Sequence, residues 1–542
     1  MAILIETNEY QTPITEELLS QYPEEVVQQF TEIVNIVPFI KNLINPNRPN
    51  IEDLPRDKEG RAIIDITNPP IYKDADYFRQ AALFYLKNNC YTKLRPNSNP
   101  NSEYRKYWRE ELRRCREGLI RQSDGMYVTG FLYWFLNYCP MMVNFYKEGQ
   151  KKAIRKESFG FFFEGIWWRS IYLYNAREQG HHAIELAKRG CGKSIFLSAI
   201  MSHNLIVGES EATHKRCITV LTAAQKEYLK DDKDGTLNKF IPELSFIIDN
   251  TPFPNLLLKN SPNEMSWQMG YKKPNGAIGG SMNQVLGVSA KDDSDKLRGK
   301  RGWILYEEMG TFDGLLELYD VTRKSVEDGD YTFACQYLVG TANNKESSFL
   351  SAKKLLYAPE SYNIQSIPNV YDKKGSGKDT FGFFFPAYIN RAGCYNKDGI
   401  SDVIKALLQV LMARYKSKYG ADPTSVLRVI AEDPITPAEA IIKVKDAYFP
   451  VASLQERADT LDKNPSLYDD IYVGELYTTG TGEIEFRPTD DIPIRTYPVD
   501  NDTKGALEIY SMPKKDREGK VFNNRYIIGV DPKSLGLILV IK

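Results

Sequence analysis

Apolar and polar residues follow different patterns in different parts of the 542-residue chain. In the first part, apolar side chains recur at helical spacing, as in residues 16–44, where Pro23 and Pro38 interrupt the pattern. From about residue 180, short continuous apolar runs alternate with longer amphipathic segments; these runs are 182–187, 216–224, 302–308 and 333–341. Continuous apolar runs indicate strands that are buried on both faces, so the pattern predicts an α/β fold with a mainly parallel central sheet.

After about residue 450 the apolar runs become shorter and partly alternating, as in YVGELY at 472–477, which predicts β-rich structure. Near the end, YIIGVD at 526–531 has the pattern of a buried strand that carries an acid, Asp531, at its tip. These changes divide the chain into four regions: a helical N-terminal region 1–150, an α/β domain 151–450, a β-rich linking region 451–524 and a last strand in 525–542.

Composition changes this picture little. The net charge is −1, so the chain as a whole has no positive field for nucleic acid, although 105–121 and 147–156 are locally basic. For each basic stretch a solvated helix face is slightly favoured over DNA contact. The seven cysteines are scattered without a C-x-x-C pair, which fits a reducing compartment. No secretion signal or membrane-spanning run is evident, so a soluble intracellular protein is expected.

The strongest chemical signal is AKRGCGKS at 187–194, between the apolar run 182–187 and an amphipathic segment. Glycines let backbone N–H groups close around phosphates, and the following helix N-terminus adds positive potential. Lys193 is expected to reach the β- and γ-phosphates of ATP, and the Ser194 hydroxyl to ligate Mg²⁺. The predicted nucleotide-binding residues are Ala187, Lys188, Arg189, Gly190, Cys191, Gly192, Lys193 and Ser194. A similar stretch at 373–380 has Asp379 in place of the hydroxyl residue and is interpreted as a loop.

A pair of acids follows the apolar run 302–306. Glu307 is expected to hold Mg²⁺ and Glu308 to polarise the water that attacks the γ-phosphate. The alternative is a strand that leaves the core with two solvated acids. Glutamate rather than aspartate at position 307 departs slightly from the usual pattern of such sites.

Six segments, in this order, carry a resemblance to a known family: 125–142, 186–194, 296–312, 338–344, 430–450 and 525–532. The chain resembles the large terminase subunit of tailed bacteriophages from about residue 125 onward. The resemblance implies a P-loop (Walker A) ATPase that packages double-stranded viral DNA into a procapsid. It also implies an RNase H-like nuclease domain that cuts concatemeric DNA.

The resemblance also assigns roles to single residues. Asn137 lies in the segment that helps to seat the base, and Gly340 with Thr341 forms the motif that couples hydrolysis to movement. Asp531 matches the first ligand of a nuclease site for Mg²⁺ or Mn²⁺. Arg189 can neutralise charge on the transferred phosphoryl group, a role that suits a guanidinium; the alternative is a surface cation.

The implied partners are DNA, the portal protein, the small terminase subunit and further copies of the chain in a ring, with no membrane. The implied location is the host cell cytoplasm, transiently on the procapsid and not in the mature virion. Arg298, Lys300 and Arg301 would face DNA or a neighbouring subunit, with a solvated loop as the alternative.

Eleven residues follow Asp531, and none of them is acidic. Because a two-metal nuclease needs several carboxylates, an incomplete nuclease that does not cut DNA is expected. An interrupted gene, a split protein and a truncation all remain open as explanations. Two other functions remain open as well. A helicase-like, DNA-translocating ATPase would lack the nuclease, and a nucleotide-gated binding protein would need Lys193 and Ser194 but not Glu308.

Overall fold

A mixed sheet of eight strands organises the larger part of the chain. The computed structural model describes residues 6–145, 152–208, 216–231, 235–290, 294–341, 346–372, 379–420, 425–441, 472–482, 484–490, 507–509, 526–531 and 536–541. By their contacts they form two units, within Met1–Asp446 and Ala447–Lys542. The predicted boundaries near 450 and 524 lie outside the described residues.

The helices of the described ranges all belong to the first unit. They are α1 (Glu16–Ser20), α2 (Glu24–Ile36), α3 (Pro38–Ile44), α4 (Gln80–Asn88), α5 (Glu103–Glu117), α6 (Gly130–Tyr138), α7 (Glu164–Glu178), α8 (Lys193–Ile206), α9 (Lys226–Leu229), α10 (Thr236–Asn250), α11 (Leu315–Val326), α12 (Glu346–Tyr357), α13 (Val403–Lys418), α14 (Ser425–Glu432) and α15 (Pro437–Ala440). Short 3-10 helices cover Ile51–Asp53, Ala75–Arg79, Ser294–Leu297, Met309–Thr311 and Pro359–Tyr362. None of the described helices is both long and apolar enough to cross a membrane.

Strands occur in both units. Those of the first unit are β1 (Leu119–Ile120), β2 (Tyr127–Val128), β3 (Pro140–Phe145), β4 (Ile154–Phe159), β5 (Ala183–Ala187), β6 (Ile218–Ala223), β7 (Leu257–Ser261), β8 (Ser266–Met269), β9 (Tyr271–Lys272), β10 (Ile278–Gly279), β11 (Gln284–Ser289), β12 (Trp303–Tyr306), β13 (Glu327–Asp328), β14 (Tyr331–Thr332), β15 (Gln336–Gly340), β16 (Ile367–Pro368), β17 (Thr380–Phe381) and β18 (Phe383–Phe385). Those of the second unit are β19 (Tyr472–Thr478), β20 (Ile484–Pro488), β21 (Leu507–Ile509), β22 (Tyr526–Asp531) and β23 (Gly536–Ile541).

The large sheet has the order β18-β5-β15-β12-β6-β11-β8-β7. Neighbours from β18 to β11 pair in parallel, and β8 and β7 continue the sheet in antiparallel pairing. Every residue of β5, β12 and β15 is buried. The prediction of an α/β fold with a mainly parallel, doubly covered sheet is therefore confirmed, and β5, β6, β12 and β15 lie within the four predicted runs.

The N-terminal region is largely helical, but the predicted boundary at 150 does not separate two units. Arg48 Nη2 lies 3.0 Å from Glu164 Oε2 of α7, and both side chains are fully buried. Trp134 of α6 donates from Nε1 to Ser202 Oγ of α8 over 2.8 Å. Because buried polar contacts of this kind tie the early helices to the helices that cover the sheet, the first 446 residues form one unit.

The described residues of the second unit form two small sheets. Strands β20-β19-β21 form a three-stranded antiparallel sheet in the region predicted to be β-rich. Strands β22 and β23 pair antiparallel, with Asp531 opposite Gly536. Asp531 therefore ends a strand, as its sequence pattern predicts.

Candidate active site

The phosphate loop joins the end of β5 at Ala187 to the start of α8 at Lys193. Gly190 has φ +72° and Gly192 has φ +78°, a left-handed conformation that side-chain-bearing residues rarely adopt. The two glycines therefore allow the backbone to curl around the N-terminus of α8. The predicted order of strand, glycine-rich loop and helix is confirmed.

Lys188 does not offer its side chain to this loop. Its buried Nζ donates to the carbonyl oxygen of Ile389 over 2.6 Å and, more weakly, to that of Ala387 over 3.4 Å. Its backbone N–H donates to Phe385 O of β18 over 3.1 Å. Burial lowers the pKa of Lys188 to about 8. Both donors of Lys188 therefore hold the loop to β18 and to the segment that follows it, and the predicted nucleotide contact of Lys188 stays a prediction.

Arg189 lies on the surface of the loop, with its side chain 70% exposed. Its backbone N–H donates to Glu432 O over 3.2 Å, and its Nη1 lies 3.5 Å from Glu432 Oε1 at the end of α14. An exposed pair at this distance contributes little stability, so the guanidinium can leave Glu432 at small cost.

A buried ion pair between Arg169 and Glu185 holds the backbone of the phosphate loop in place. Arg169 of α7 places Nη2 2.6 Å from Glu185 Oε1 of β5, and its Nη1 donates to Cys191 O over 3.2 Å. Tyr337 of β15 donates its hydroxyl to Glu185 Oε2 over 2.5 Å. A buried pair of this kind is stable only when further hydrogen bonds satisfy it, and here they do so by fixing the loop backbone. The sequence gives no signal for this pair, because its members lie in an apolar helix and an apolar strand.

Ser194 and Glu307 meet at the foot of the loop. Ser194 Oγ donates to Glu307 Oε1 over 2.6 Å. The other carboxylate oxygen, Oε2, is buried and has no hydrogen-bond partner among the described residues. Burial raises the pKa of Glu307 to about 7, although the bond from Ser194 partly offsets the rise.

Lys193 and Glu308 lie beside this pair. Lys193 Nζ is 3.7 Å from Glu308 Oε1, and the lysine side chain is 7% exposed. Burial alone would lower the pKa of Lys193, but Cys191, Glu308 and Glu307 together raise it above its usual value. Lys193 thus stays charged in the folded protein.

Glu308 is held in an unusual backbone conformation, with φ 50° and ψ 61°. Its Oε2 accepts hydrogen bonds from the backbone N–H and the hydroxyl of Thr341, both over 3.2 Å. A Cβ at Gly340 would lie 2.6 Å from Met309 N, so only glycine allows the end of β15 to approach this turn. Strain of this kind persists where surrounding structure enforces it, often at functional sites. The structure thus brings the predicted water-polarising acid and the predicted coupling residues into contact.

A cavity of about 410 Å³ lies against the loop. It is lined by Arg189, Gly190, Cys191, Gly192, Lys193, Ser194, Ile195, Tyr228, Lys239, Glu308, Thr311 and Thr341. The sequence patterns did not single out Tyr228, Lys239 or Thr311, because each is an isolated residue without motif spacing.

A second cavity, of about 580 Å³, lies against the same loop and combines an apolar group of side chains with polar ones, among them Asn390, Arg391, Gln409 and Asp433. Its lining includes Phe135, Met141, Met142, Phe161, Phe163 and Tyr395 together with Lys188 to Gly192 of the loop. The predicted base-seating segment 125–142 thus contributes side chains to a cavity beside the phosphate loop.

Asn137, which lies in that segment, has a different role. It is fully buried, its Oδ1 accepts from the N–H of Ala82, and its Nδ2 donates to Phe78 O and Tyr133 O. Its amide joins α6 to the segments before it, and the predicted nucleotide contact of Asn137 stays a prediction.

The predicted nuclease ligand Asp531 ends β22 in the second unit, and its side chain lies outside the described residues. Within the part of the chain that is described, no group of three or more His, Cys, Asp and Glu side chains could hold a metal ion. The metal role of Asp531 stays a prediction.

The basic stretch 105–121 is explained by its own helix. Arg113 pairs with Glu110 and Glu117, and Arg114 pairs with Glu110 and Glu111. The solvated-face interpretation therefore fits this part of the stretch.

Comparison with solved structures finds phage large terminases. The chain is similar to the large terminase ATPase domain of Thermus phage P74-26, with 12% sequence identity and a TM-score of 0.33, over 49% of this chain and 92% of that chain. It is also similar to the large terminase of bacteriophage HK97, with 10% identity and a TM-score of 0.31, over 61% of this chain and 63% of that chain. No family model and no curated protein matches the chain.

Proposed function

We propose that this chain is an ATPase that drives double-stranded viral DNA into a procapsid, as the motor of a large terminase. One observation carries the ATPase part. The Ser194 hydroxyl lies 2.6 Å from Glu307, whose second carboxylate oxygen is buried without a partner in the described residues. Such an oxygen is costly to bury unless a ligand completes it.

The residues at this point fit Mg²⁺. A hydroxyl and a carboxylate are hard oxygen ligands, and Mg²⁺ usually takes one or two of them together with phosphate oxygens and water. When bound, the ion would neutralise charge on the β- and γ-phosphates. Ser194 and Glu307 would hold it, and its charge would favour the ionised form of Glu307 against the effect of burial.

Lys193 and Glu308 supply the remaining chemistry in this proposal. Lys193 would turn from Glu308 to the β- and γ-phosphates, and Glu308 would then orient the attacking water. Both oxygens of Glu308 have partners in the structure described here: Lys193 on one side and Thr341 on the other. Thr341 would therefore release Glu308 as the water takes its place, which links the end of β15 to the hydrolytic step.

The apolar part of the second cavity beside the loop is a suitable place for the adenine ring. Phe135, Met141 and Phe161 present flat or adaptable apolar surfaces there. An aromatic base gains from burial against such surfaces, while the loop holds the phosphates at the cavity edge.

The DNA-packaging part rests on the six resembling segments of the sequence and on the α/β architecture. Within it, the chain would work as a ring of copies with the portal protein and the small terminase subunit, in the host cytoplasm. Asp531 would be a ligand for Mg²⁺ or Mn²⁺ in a nuclease site of the second unit.

The test is ATP binding and turnover by the purified chain, with and without double-stranded DNA. Lys193→Ala should lose ATP binding, because the phosphates lose a buried cation. The matched control is Lys226→Ala on α9, an exposed lysine, which should bind and hydrolyse ATP as the wild type does. Turnover that survives Lys193→Ala would contradict the proposed site. Turnover that DNA does not change would leave an ATPase and remove support for the motor.

A further inference from the structure

Lys239 lines the proposed nucleotide cavity from a helix that no phosphate-binding motif includes. It lies in α10 and lines the 410 Å³ cavity together with Lys193, Ser194 and Glu308. The loop and the acid pair come from β5, α8 and β12, so α10 is an additional element of the site. Because Lys239 comes from an element outside the phosphate loop, it is a candidate for contact with a part of the ligand that the loop does not surround.

Helix α10 is fixed to the helix that follows the phosphate loop. Glu243 of α10 is buried and accepts hydrogen bonds from Ser198 Oγ over 2.8 Å and from Ser202 Oγ, both of α8. Cys139 Sγ donates to the same carboxylate over 3.3 Å. These bonds hold α10 and α8 in one arrangement, so this face of α10 has a fixed position relative to the loop.

Three positions on α10 mark this face. Thr236, Lys239 and Glu243 follow one another at spacings of three and four residues, which places them along one side of the helix. Thr236 is buried at the first turn and its hydroxyl lies near Glu307 without the geometry of a hydrogen bond; burial raises the pKa of Glu307, and this hydroxyl offsets a small part of the rise. Lys239 therefore lies between the carboxylate end of the site and the contact with α8.

The charges of the cavity suggest what Lys239 contacts. The lining holds three cations, Arg189, Lys193 and Lys239, and one acid, Glu308. Lys193 comes from the phosphate loop itself, and Arg189 is 70% exposed at the surface of that loop. Lys239 comes from outside the loop and shares the cavity with Glu308, whose proposed water attacks the γ-phosphate.

We infer that Lys239 binds the γ-phosphate of ATP and stabilises the charge that this group carries as it is transferred. This inference rests on the proposed ATPase function. It makes Lys239 a discriminator between ATP and ADP, because only ATP has the group that Lys239 reaches. Charge-assisted contacts of this kind act most strongly in partly buried sites.

The experiment compares binding of ADP and of ATPγS, each with Mg²⁺, to the full chain and to Lys239→Met. The variant should bind ATPγS at least about tenfold more weakly while ADP affinity stays within about twofold of wild type, and its kcat for ATP should fall by a similar or larger factor. Lys239→Arg should recover part of the ATPγS affinity. Lys226→Met on the neighbouring helix α9 is the matched control and should change neither affinity.

Equal weakening of ATPγS and ADP in Lys239→Met would overturn the inference, because the lysine would then act on a shared part of the nucleotide or on the fold. Unchanged ATPγS affinity and kcat would overturn it as well. Failure of the wild type to bind either nucleotide would instead overturn the proposed ATPase function. Thermal unfolding of each variant checks that the fold is retained.

Discussion

Two glutamates near opposite ends of the parallel strands have opposite electrostatics: Glu307 is buried after β12 of the large sheet, and Glu327 is partly buried on β13, in a separate two-stranded sheet with β14. Glu307 follows the carboxyl end of β12, and Glu327 lies near the amino end of β5, next to His182. Glu327 accepts hydrogen bonds from His182 Nε2 over 3.0 Å, Asn363 Nδ2 over 2.8 Å and Arg323 Nε over 3.0 Å. His182 Nδ1 accepts from the backbone N–H of Gln336, so Nε2 carries the proton that it donates.

The pKa values of Glu327 and Glu307 are shifted in opposite directions. Burial alone would raise the pKa of Glu327, but the hydrogen bonds from His182 and Asn363 bring it down to about 2. For Glu307 burial prevails, and the pKa is raised to about 7. Burial of an acid therefore does not by itself distinguish a structural residue from a functional one. The distinction lies in whether the protein completes the hydrogen bonds or leaves an oxygen for a ligand.

The largest effect is expected at the acid pair that follows β12, beside Glu307. Glu308→Gln should bind ATP with near-normal affinity but hydrolyse it at least about a hundredfold more slowly, because an amide orients water poorly and accepts no proton. Single-turnover hydrolysis with DNA present, beside a filter-binding measurement of ATP affinity, separates the two effects. Near-normal turnover would remove Glu308 from the mechanism.

The contributions of Glu307 and Glu327 to the pH dependence of stability should have opposite signs. Because the folded pKa of Glu307 lies near 7, above the unfolded value of 4.5, its ionisation destabilises the fold as pH rises from 4.5 to 7. Glu307→Gln should remove that loss, on the order of 3 kcal/mol at pH 8 and vanishing below pH 4.5. The measurement is denaturant unfolding in chelator across this range. A variant less stable than wild type at pH 8 would contradict the unsatisfied carboxylate.

Glu327→Gln should behave in the opposite way. Its folded pKa near 2 lies below the unfolded value of 4.5, so the stabilisation is present above pH 4.5 and is lost as pH falls towards 2. The variant should be less stable by roughly 2 kcal/mol at pH 7, with the difference shrinking in acid. Its ATP affinity should equal that of wild type. A loss of ATP binding in a folded Glu327→Gln variant would contradict the purely structural role of Glu327.

The sequence predicts the part of this contrast that is local. The phosphate loop, its flanking strand and helix, and the acid pair at 307–308 each occupy one short segment with a recognisable pattern. The cluster of Glu327, His182 and Asn363 was not predicted, because its members are separated by 145 and 36 residues and meet only through the sheet.

The same limit applies within the site. Neighbouring cations at 188 and 189 look alike in sequence, and only the folded segment around Ile389 shows which of them is buried. The edge strand β18 and the antiparallel strands β7 and β8 were not predicted either, since pairing with existing strands defines them more than their own residues do. Lys239 carried no signal, because a single lysine on an amphipathic helix is most often a solvated one.

Two neighbouring cations of the phosphate loop show the same contrast: Arg189 is exposed, whereas Lys188 donates its hydrogen bonds within the protein. Substituting them should have smaller effects. Arg189→Ala should lower kcat for ATP about tenfold or more and change ATP affinity much less, because charge on the transferred phosphoryl group grows along the reaction. The ratio of kcat to Kd changes is the measurement. Equal losses would make Arg189 a ground-state binding residue, and no loss would make it a surface cation.

The smallest effect is expected for Lys188→Met. The methionine keeps most of the apolar contact while removing a buried cation that lacks an acid partner among its described hydrogen bonds, so ATP affinity and kcat should stay within about threefold of wild type. Nucleotide titration beside Arg189→Ala tests this directly. A larger loss of activity with unchanged thermal stability would return Lys188 to the phosphates.

The strand order β5-β15-β12 sets the distance between the phosphate loop and the acid pair. The strand that leads into the loop and the strand that leads to the acids are not neighbours, since β15 lies between them. Two interstrand steps separate them by about 10 Å, a gap that suits a phosphate chain and its attacking water. Because β15 ends in Gly340 and Thr341, the spacer and the contact to Glu308 belong to one strand. A one-residue slip of β15 would keep this gap but would displace Thr341 from Glu308.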